Sequence, residues 1–122
     1  IAQTLVEVFC EHQSIVARFG GDEFIVALNN VTEAEIEQLA EKCHNTLKEL
    51  KITNSASLID DYITLTIGAY TSIPDSSDTV FSFIESADKA LYQAKKLGRN
   101  QSVLYAGVSR KSGEKSVRLL SN

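Results

Sequence analysis

Apolar and polar positions follow two different periods along the chain, and the switches between them mark the elements. Ile1, Leu5, Val8 and Phe9 recur at the spacing of one helix face. From residue 15 the period drops to two: Ile15, Ala17 and Phe19 alternate with Val16 and Arg18, and residues 24–28 repeat the pattern. That is the period of a strand. Gly20 and Gly21 lie between these runs, and glycine reaches the positive φ of tight turns, so the pair signals a hairpin. Its loop carries Asp22 and Glu23 away from the core.

Thr32 followed by Glu35 is a capping box. It opens a helix with Ile36, Leu39, Ala40, Cys43, Leu47 and Leu50 on its apolar face, and Lys48 and Lys51 complement the dipole at its end. Residues 54–61 read as a polar loop. Residues 62–70 read as a strand, with Ile63, Leu65, Ile67 and Ala69 inward and Thr64 and Thr66 outward. A loop around Pro74 leads to a helix over 80–97 that buries Phe83, Ile84, Ala87, Leu91 and Ala94 and stops at Gly98. Residues 102–108 form the last strand. The order helix, strand, strand, helix, strand, helix, strand predicts an α+β fold with a mixed sheet. A ferredoxin-like or palm-like sheet needs one more strand before the first helix.

Length and composition change this picture little. The 122 residues make one domain, and 43% apolar with 23% charged residues is an ordinary globular mix. No apolar run approaches a membrane span, and no signal peptide is visible. The chain starts at Ile1 and has no Met, which reads as a piece of something longer. Cys10 and Cys43 are not spaced as C-x-x-C and read as buried thiols of a reducing compartment, with a disulfide between them the less favoured alternative. The net charge is -4, yet from Ser109 on Arg110, Lys111, Lys115 and Arg118 face only Glu114. A basic tail can signal nucleic acid or a membrane. The Ser and Gly content and the lack of aromatics favour a solvated linker, so residues 109–122 are taken as a basic polar tail and neither partner is assigned.

Chemistry has two candidate places. At the hairpin tip, Gly20 and Gly21 let backbone approach a phosphate, and Asp22 and Glu23 offer hard oxygen ligands to Mg²⁺. A plain exposed turn explains the same residues equally well. Near the end of the last helix, Lys95 and Arg99 are four apart and can share a helix face or its end, where they could grip phosphates. A solvated basic helix end is the simpler account of that pair alone.

Taken together, "ARFGGDEF" and "SADKALYQAKKLGRN" resemble the two signature blocks of the GGDEF family, the diguanylate cyclases. "YITLTIGAY" between them is similar to the family's T-x-S-x-G strand at Thr64, Thr66 and Gly68. The resemblance runs over residues 1–108. It implies a nucleotide-cyclase palm-like mixed sheet flanked by helices, here lacking the family's first strand. It implies condensation of two GTP molecules into cyclic di-GMP and two pyrophosphates, with a second GGDEF domain facing the first and Mg²⁺ or Mn²⁺ as cofactor. By position, Gly20 and Gly21 would meet the phosphates, Asp22 and Glu23 would hold metal and act in catalysis, and Lys95 and Arg99 would clamp the β and γ phosphates. Arg18 matches the family's arginine before the glycines as a structural residue. Asp88 and Tyr92 would serve packing and hydrogen bonding within the signature helix. His12 and His44 match nothing functional and read as surface or helix residues.

Two departures follow from the same resemblance. Many members carry an inhibitory R-x-x-D pair before the glycines, and Glu11 and Ser14 stand there instead. A glutamate repels the phosphate that an arginine fork would hold, so product inhibition through this site is not expected. The family's first strand and the helix after it carry a metal-binding aspartate and the guanine-reading residues, and both lie upstream of Ile1. That strand sits centrally in the family sheet. The fragment is therefore expected to be inactive alone, and to oligomerise, swap elements or close the gap by rearrangement. A regulatory GTP-binding domain that controls a neighbouring domain is the alternative, and a cyclase with another base choice is a third. The resemblance also implies an upstream sensory domain, a cytoplasmic setting and no membrane contact by this segment.

Overall fold

The structure is a computed structural model that describes residues 2–52 and 62–107, and the backbone of 115–121. Helix α1 spans Ala2–Phe9, and strands β1 (Ser14–Gly20) and β2 (Glu23–Asn29) form the hairpin. Helix α2 (Glu33–Leu50) precedes β3 (Thr66–Ser72), followed by α3 (Val80–Lys96), β4 (Ser102–Ala106) and β5 (Lys115–Ser121). The α+β class and the order of the first seven elements agree with the sequence reading. Ile1, the polar loop 54–61 and Val108 lie outside the described residues.

The five strands form one sheet in the order β1-β2-β5-β3-β4. β5 runs antiparallel to both β2 and β3, while β3 and β4 are parallel. Residues 115–121 are therefore a central strand, where the sequence reading has a solvated tail. The tail assignment followed local composition, and composition does not register two waiting strand edges that need partners.

Helices α1 and α2 cover one face of the sheet. The capping box forms as read: Glu35 N donates to Thr32 Oγ1 at 3.2 Å, and Thr32 N donates to Glu35 Oε2 at 2.8 Å. Leu5, Val8 and Phe9 of α1 and Ile36, Leu39, Ala40, Cys43 and Leu47 of α2 bury against Phe24, Val26, Leu28, Leu65, Ile67 and Ala69. Leu50 instead lies exposed at the last turn. The strand period explains the choice: Phe24, Val26 and Leu28 face this layer, and Ile25 faces the other.

On the opposite face α3 buries Phe83, Ala87, Ala90, Leu91 and Ala94. It packs over β3, β4 and β5. Gly68 makes this approach workable, because a Cβ there would overlap the backbone of Ala87 and Leu91. Since helices cover β3 on both sides, Thr66 is buried and does not face outward as expected. The strand also begins at Thr66, four residues later than the predicted start. Cys10 is exposed, against the expectation of two buried thiols, while Cys43 is buried, and both are free. Among the described residues no helix is long and apolar enough to cross a membrane.

Candidate functional site

The hairpin turn is held from its own strand. Gly21 takes a φ of 53°, the left-handed region that glycine adopts without steric cost. Its carbonyl oxygen accepts from Arg18 Nε at 2.9 Å and from Arg18 Nη2 at 2.5 Å. Arg18 thus clamps the turn, which supports the structural role given to it. Asp22 is exposed at the tip, and Glu23 is the first residue of β2. A Cβ added at Gly20 or Gly21 would meet no atom within 4 Å, so the space beside both glycines is open to a ligand.

The end of α3 comes to this turn. Lys95 Nζ lies 3.5 Å from Glu23 Oε1, with both side chains partly exposed. This contact ties the two signature blocks together in space. At such exposure an ion pair contributes at most about 1 kcal/mol, so it positions more than it stabilises. Arg99 does not share a helix face with Lys95. The helix ends at Lys96, and Gly98, Arg99 and Asn100 follow with φ of 122°, 65° and 48°. This left-handed run turns the chain back toward β4. It is pinned by Arg99 N donating to Ala94 O at 3.1 Å and Asn100 N donating to Thr66 Oγ1 at 3.1 Å.

Thr66 is the residue that sequence reasoning missed. The strand period points it outward, and it instead anchors the loop that carries Arg99. The signal available was Gly68: a glycine inside a strand implies a close backbone neighbour, and hence a second covered face.

The remaining sequence assignments have plain outcomes. Ser14 Oγ donates to Phe9 O at 3.1 Å and so finishes α1. Glu11 is exposed. Asp88 and Tyr92 are exposed on α3, so they do not pack within the helix as expected. The two histidines are half-buried, each with one ring nitrogen shielded and without a hydrogen-bond partner, His12 Nδ1 and His44 Nε2. Burial pushes the His44 pKa below the ordinary histidine value.

Asp22 and Glu23 are the oxygen donors available to a cation at the turn. Among the described residues no group of three or more His, Cys, Asp or Glu could hold a metal ion. Mg²⁺ is usually bound through one or two carboxylates with substrate phosphates and water filling its shell. The pair fits that mode and does not fit an all-protein cage.

A hairpin turn of two glycines and two carboxylates thus faces a lysine from the last turn of a helix in an α+β domain with a mixed sheet. The family model described as "Diguanylate cyclase, GGDEF domain" matches residues 1–101, and the chain belongs to this family. It is similar to diguanylate cyclase A of Treponema denticola, 35% identical over 88 residues, covering 72% of this chain and 23% of that protein. Diguanylate cyclase DosC of Escherichia coli is 37% identical over 92 residues, covering 74% of this chain and 19% of the relative. The Escherichia coli cyclic di-GMP phosphodiesterase PdeR is 35% identical over 91 residues, covering 75% and 13%. The chain thus spans less than a quarter of the length of these curated relatives. No solved structure matches.

Proposed function

We propose that this chain is the C-terminal portion of a diguanylate cyclase catalytic domain, whose parent joins two GTP molecules into cyclic di-GMP and releases two pyrophosphates. The observation that carries the reading is the approach of Lys95 to Glu23, which gathers both signature blocks at one turn. Gly20 and Gly21 leave room for phosphate oxygens beside the backbone. Lys95 and Arg99 supply positive charge to the β and γ phosphates, and Asp22 and Glu23 hold Mg²⁺ or Mn²⁺. The ion, when bound, neutralises phosphate charge. The 3'-hydroxyl on one domain attacks the α-phosphate held on a second GGDEF domain, so catalysis needs a homodimer. The cytoplasm is the proposed setting, fed by an upstream sensory domain, and the two free cysteines agree with a reducing compartment.

The Lys95–Glu23 pair must open for either group to serve phosphate or metal, and its exposure makes that inexpensive. The test compares this chain with a longer form of the protein, each given GTP and Mg²⁺, with products read by mass. Cyclic di-GMP from the longer form alone supports the proposal. In that form Lys95→Ala should weaken GTP binding about 10- to 100-fold, the range for a lost charge-assisted contact. Undiminished binding would remove Lys95 from the site.

The similarity to a protein named as a cyclic di-GMP phosphodiesterase favours a second reading, a GTP-binding regulatory domain beside another catalytic unit. Binding of GTP by the longer form without turnover selects it.

A further inference from the structure

The chain leaving α3 holds a backbone that residues with a Cβ rarely adopt. Arg99 and Asn100 follow one another in the left-handed region, at φ of 65° and 48°. Such a conformation is costly outside glycine and persists only where the surroundings fix it. Here bonds fix the run from both sides. On the helix side Gly98 N donates to Lys95 O at 3.3 Å and Arg99 N to Ala94 O at 3.1 Å. On the strand side Ile67 N donates to Gln101 O at 2.9 Å. Between them, where the chain crosses from helix to sheet, Asn100 N donates to Thr66 Oγ1 at 3.1 Å.

The placing of that hydroxyl follows from the strand period. Leu65, Ile67 and Ala69 face α1 and α2, so Thr66 and Gly68 face α3. Gly68 admits the helix backbone at Ala87 and Leu91, and the chain that leaves the helix then passes within reach of Thr66, which is fully buried. Thr66 also stands in one row of the sheet with Glu23, since both pair with Ser121. The anchor beside Arg99 and the carboxylate turn therefore share one rigid frame.

We propose that Thr66 is a positioning residue for phosphate binding: its hydroxyl holds the left-handed loop, so that Arg99 meets the β and γ phosphates of GTP on a backbone already in place. The inference rests on the reading of Arg99 as a phosphate clamp. An arginine on a fixed loop loses less freedom on binding than one on a loose loop, and the difference appears as affinity. Valine at this position keeps the shape of the side chain and removes the acceptor. The Asn100 amide then loses its partner, and part of the binding energy goes into restoring the loop.

The test measures GTP binding in Mg²⁺ by calorimetry on the longer form of the protein. Thr66→Val should weaken binding about tenfold, the scale of one lost hydrogen bond, and Thr66→Ser, which restores the hydroxyl, should stay within about twofold of the wild type. In an Arg99→Ala background Thr66→Val should have no further effect, because the two residues act in one chain of contacts. The same loss in both backgrounds belongs to a merely structural hydroxyl and overturns the proposal. Unchanged binding in Thr66→Val, with Arg99→Ala weakened, overturns the proposal and leaves the phosphate reading standing. Unchanged binding in Arg99→Ala, or none by the wild type, is a failure of the phosphate reading and takes the proposal with it. Should Thr66→Val not fold, hydrogen exchange on the wild-type chain reads the anchor directly. The Asn100 amide should exchange as slowly as those of 67–71, and fast exchange there overturns the proposal.

Discussion

The two faces of the sheet are built differently. The face under α1 and α2 carries one continuous core from Leu5 to Ala69 that reaches every strand from β1 to β4, with Val16 and Leu104 packed at its margins. The face under α3 has a smaller cluster of Phe83, Ala87 and Leu91 with Ile25, Tyr70 and Ile84 against it. There the outer strand of the hairpin is exposed, with Ile15 at 70%, and Val80 and Phe81 at the start of α3 are 73% and 82% exposed. A cleft of about 650 Å³ runs between them, lined by Ile15, Ala27, Pro74, Val80 and Phe83. The larger core lies on one face, and the candidate site lies at the far end of α3 on the other.

The sharpest break of the first face is Phe9→Ala. Phe9 is fully buried at the junction of α1 with the core. Truncation should cost about 3–5 kcal/mol, the range for a buried aromatic, read as a lower denaturation midpoint with an unchanged slope. A loss under about 1 kcal/mol would mean that α1 does not seal this core. On the second face the matching break adds atoms. Gly68→Ala should cost about 3 kcal/mol, because the new Cβ meets helix backbone, which cannot rotate away. In a longer, active form of the protein it should also lower GTP turnover, since α3 carries Lys95. Stability and turnover both unchanged would show that α3 stands further from β3.

How far the sequence reveals this asymmetry depends on which interactions are local. The capping box at Thr32 and the turn at Gly21 are each settled within four residues, and both form as read. The apolar faces of α1, α2 and α3 follow from period alone and differ only at margins such as Leu50 and Ala90. The burial of Thr66 and the central placement of 115–121 depend on what packs from elsewhere in the chain; Gly68 is a local sign of the first, and no local pattern encodes the second. Of the candidate site, the signature blocks point to Gly20, Gly21, Asp22, Glu23, Lys95 and Arg99, and the structure brings Glu23 and Lys95 together. The left-handed turn at Arg99 was hidden because its anchor, Thr66, lies more than thirty residues away in sequence.

A weaker test of the first face is its response to pH. His44 lies on α2, half-buried, and burial holds its pKa below the ordinary value. The unfolded chain then binds a proton at a higher pH than the folded one does. The contribution is present above the ordinary histidine pKa of about 6.5 and is lost as pH falls through the folded value. Melting temperatures at pH 7.5 and 5.5 should therefore differ more for the wild type than for His44→Gln. Equal differences would mean that the imidazole is solvated.

The smallest effect should come from the bare face. Ile15 and Val16 are adjacent on β1, yet Val16 packs on the continuous core while Ile15 stands largely in solvent on the α3 side. Ile15→Thr keeps a β-branched side chain at an edge strand and removes little packing. Its effect on stability should stay within about 0.5 kcal/mol, as for surface substitutions in general. Val16→Thr places a hydroxyl against the core and should cost about 1–2 kcal/mol. The two substitutions differ by one position and by which face they point to, so their ratio in one denaturation experiment measures the asymmetry directly. Equal costs would mean that the hairpin's outer face is covered in solution and that the sheet has two stabilising sides.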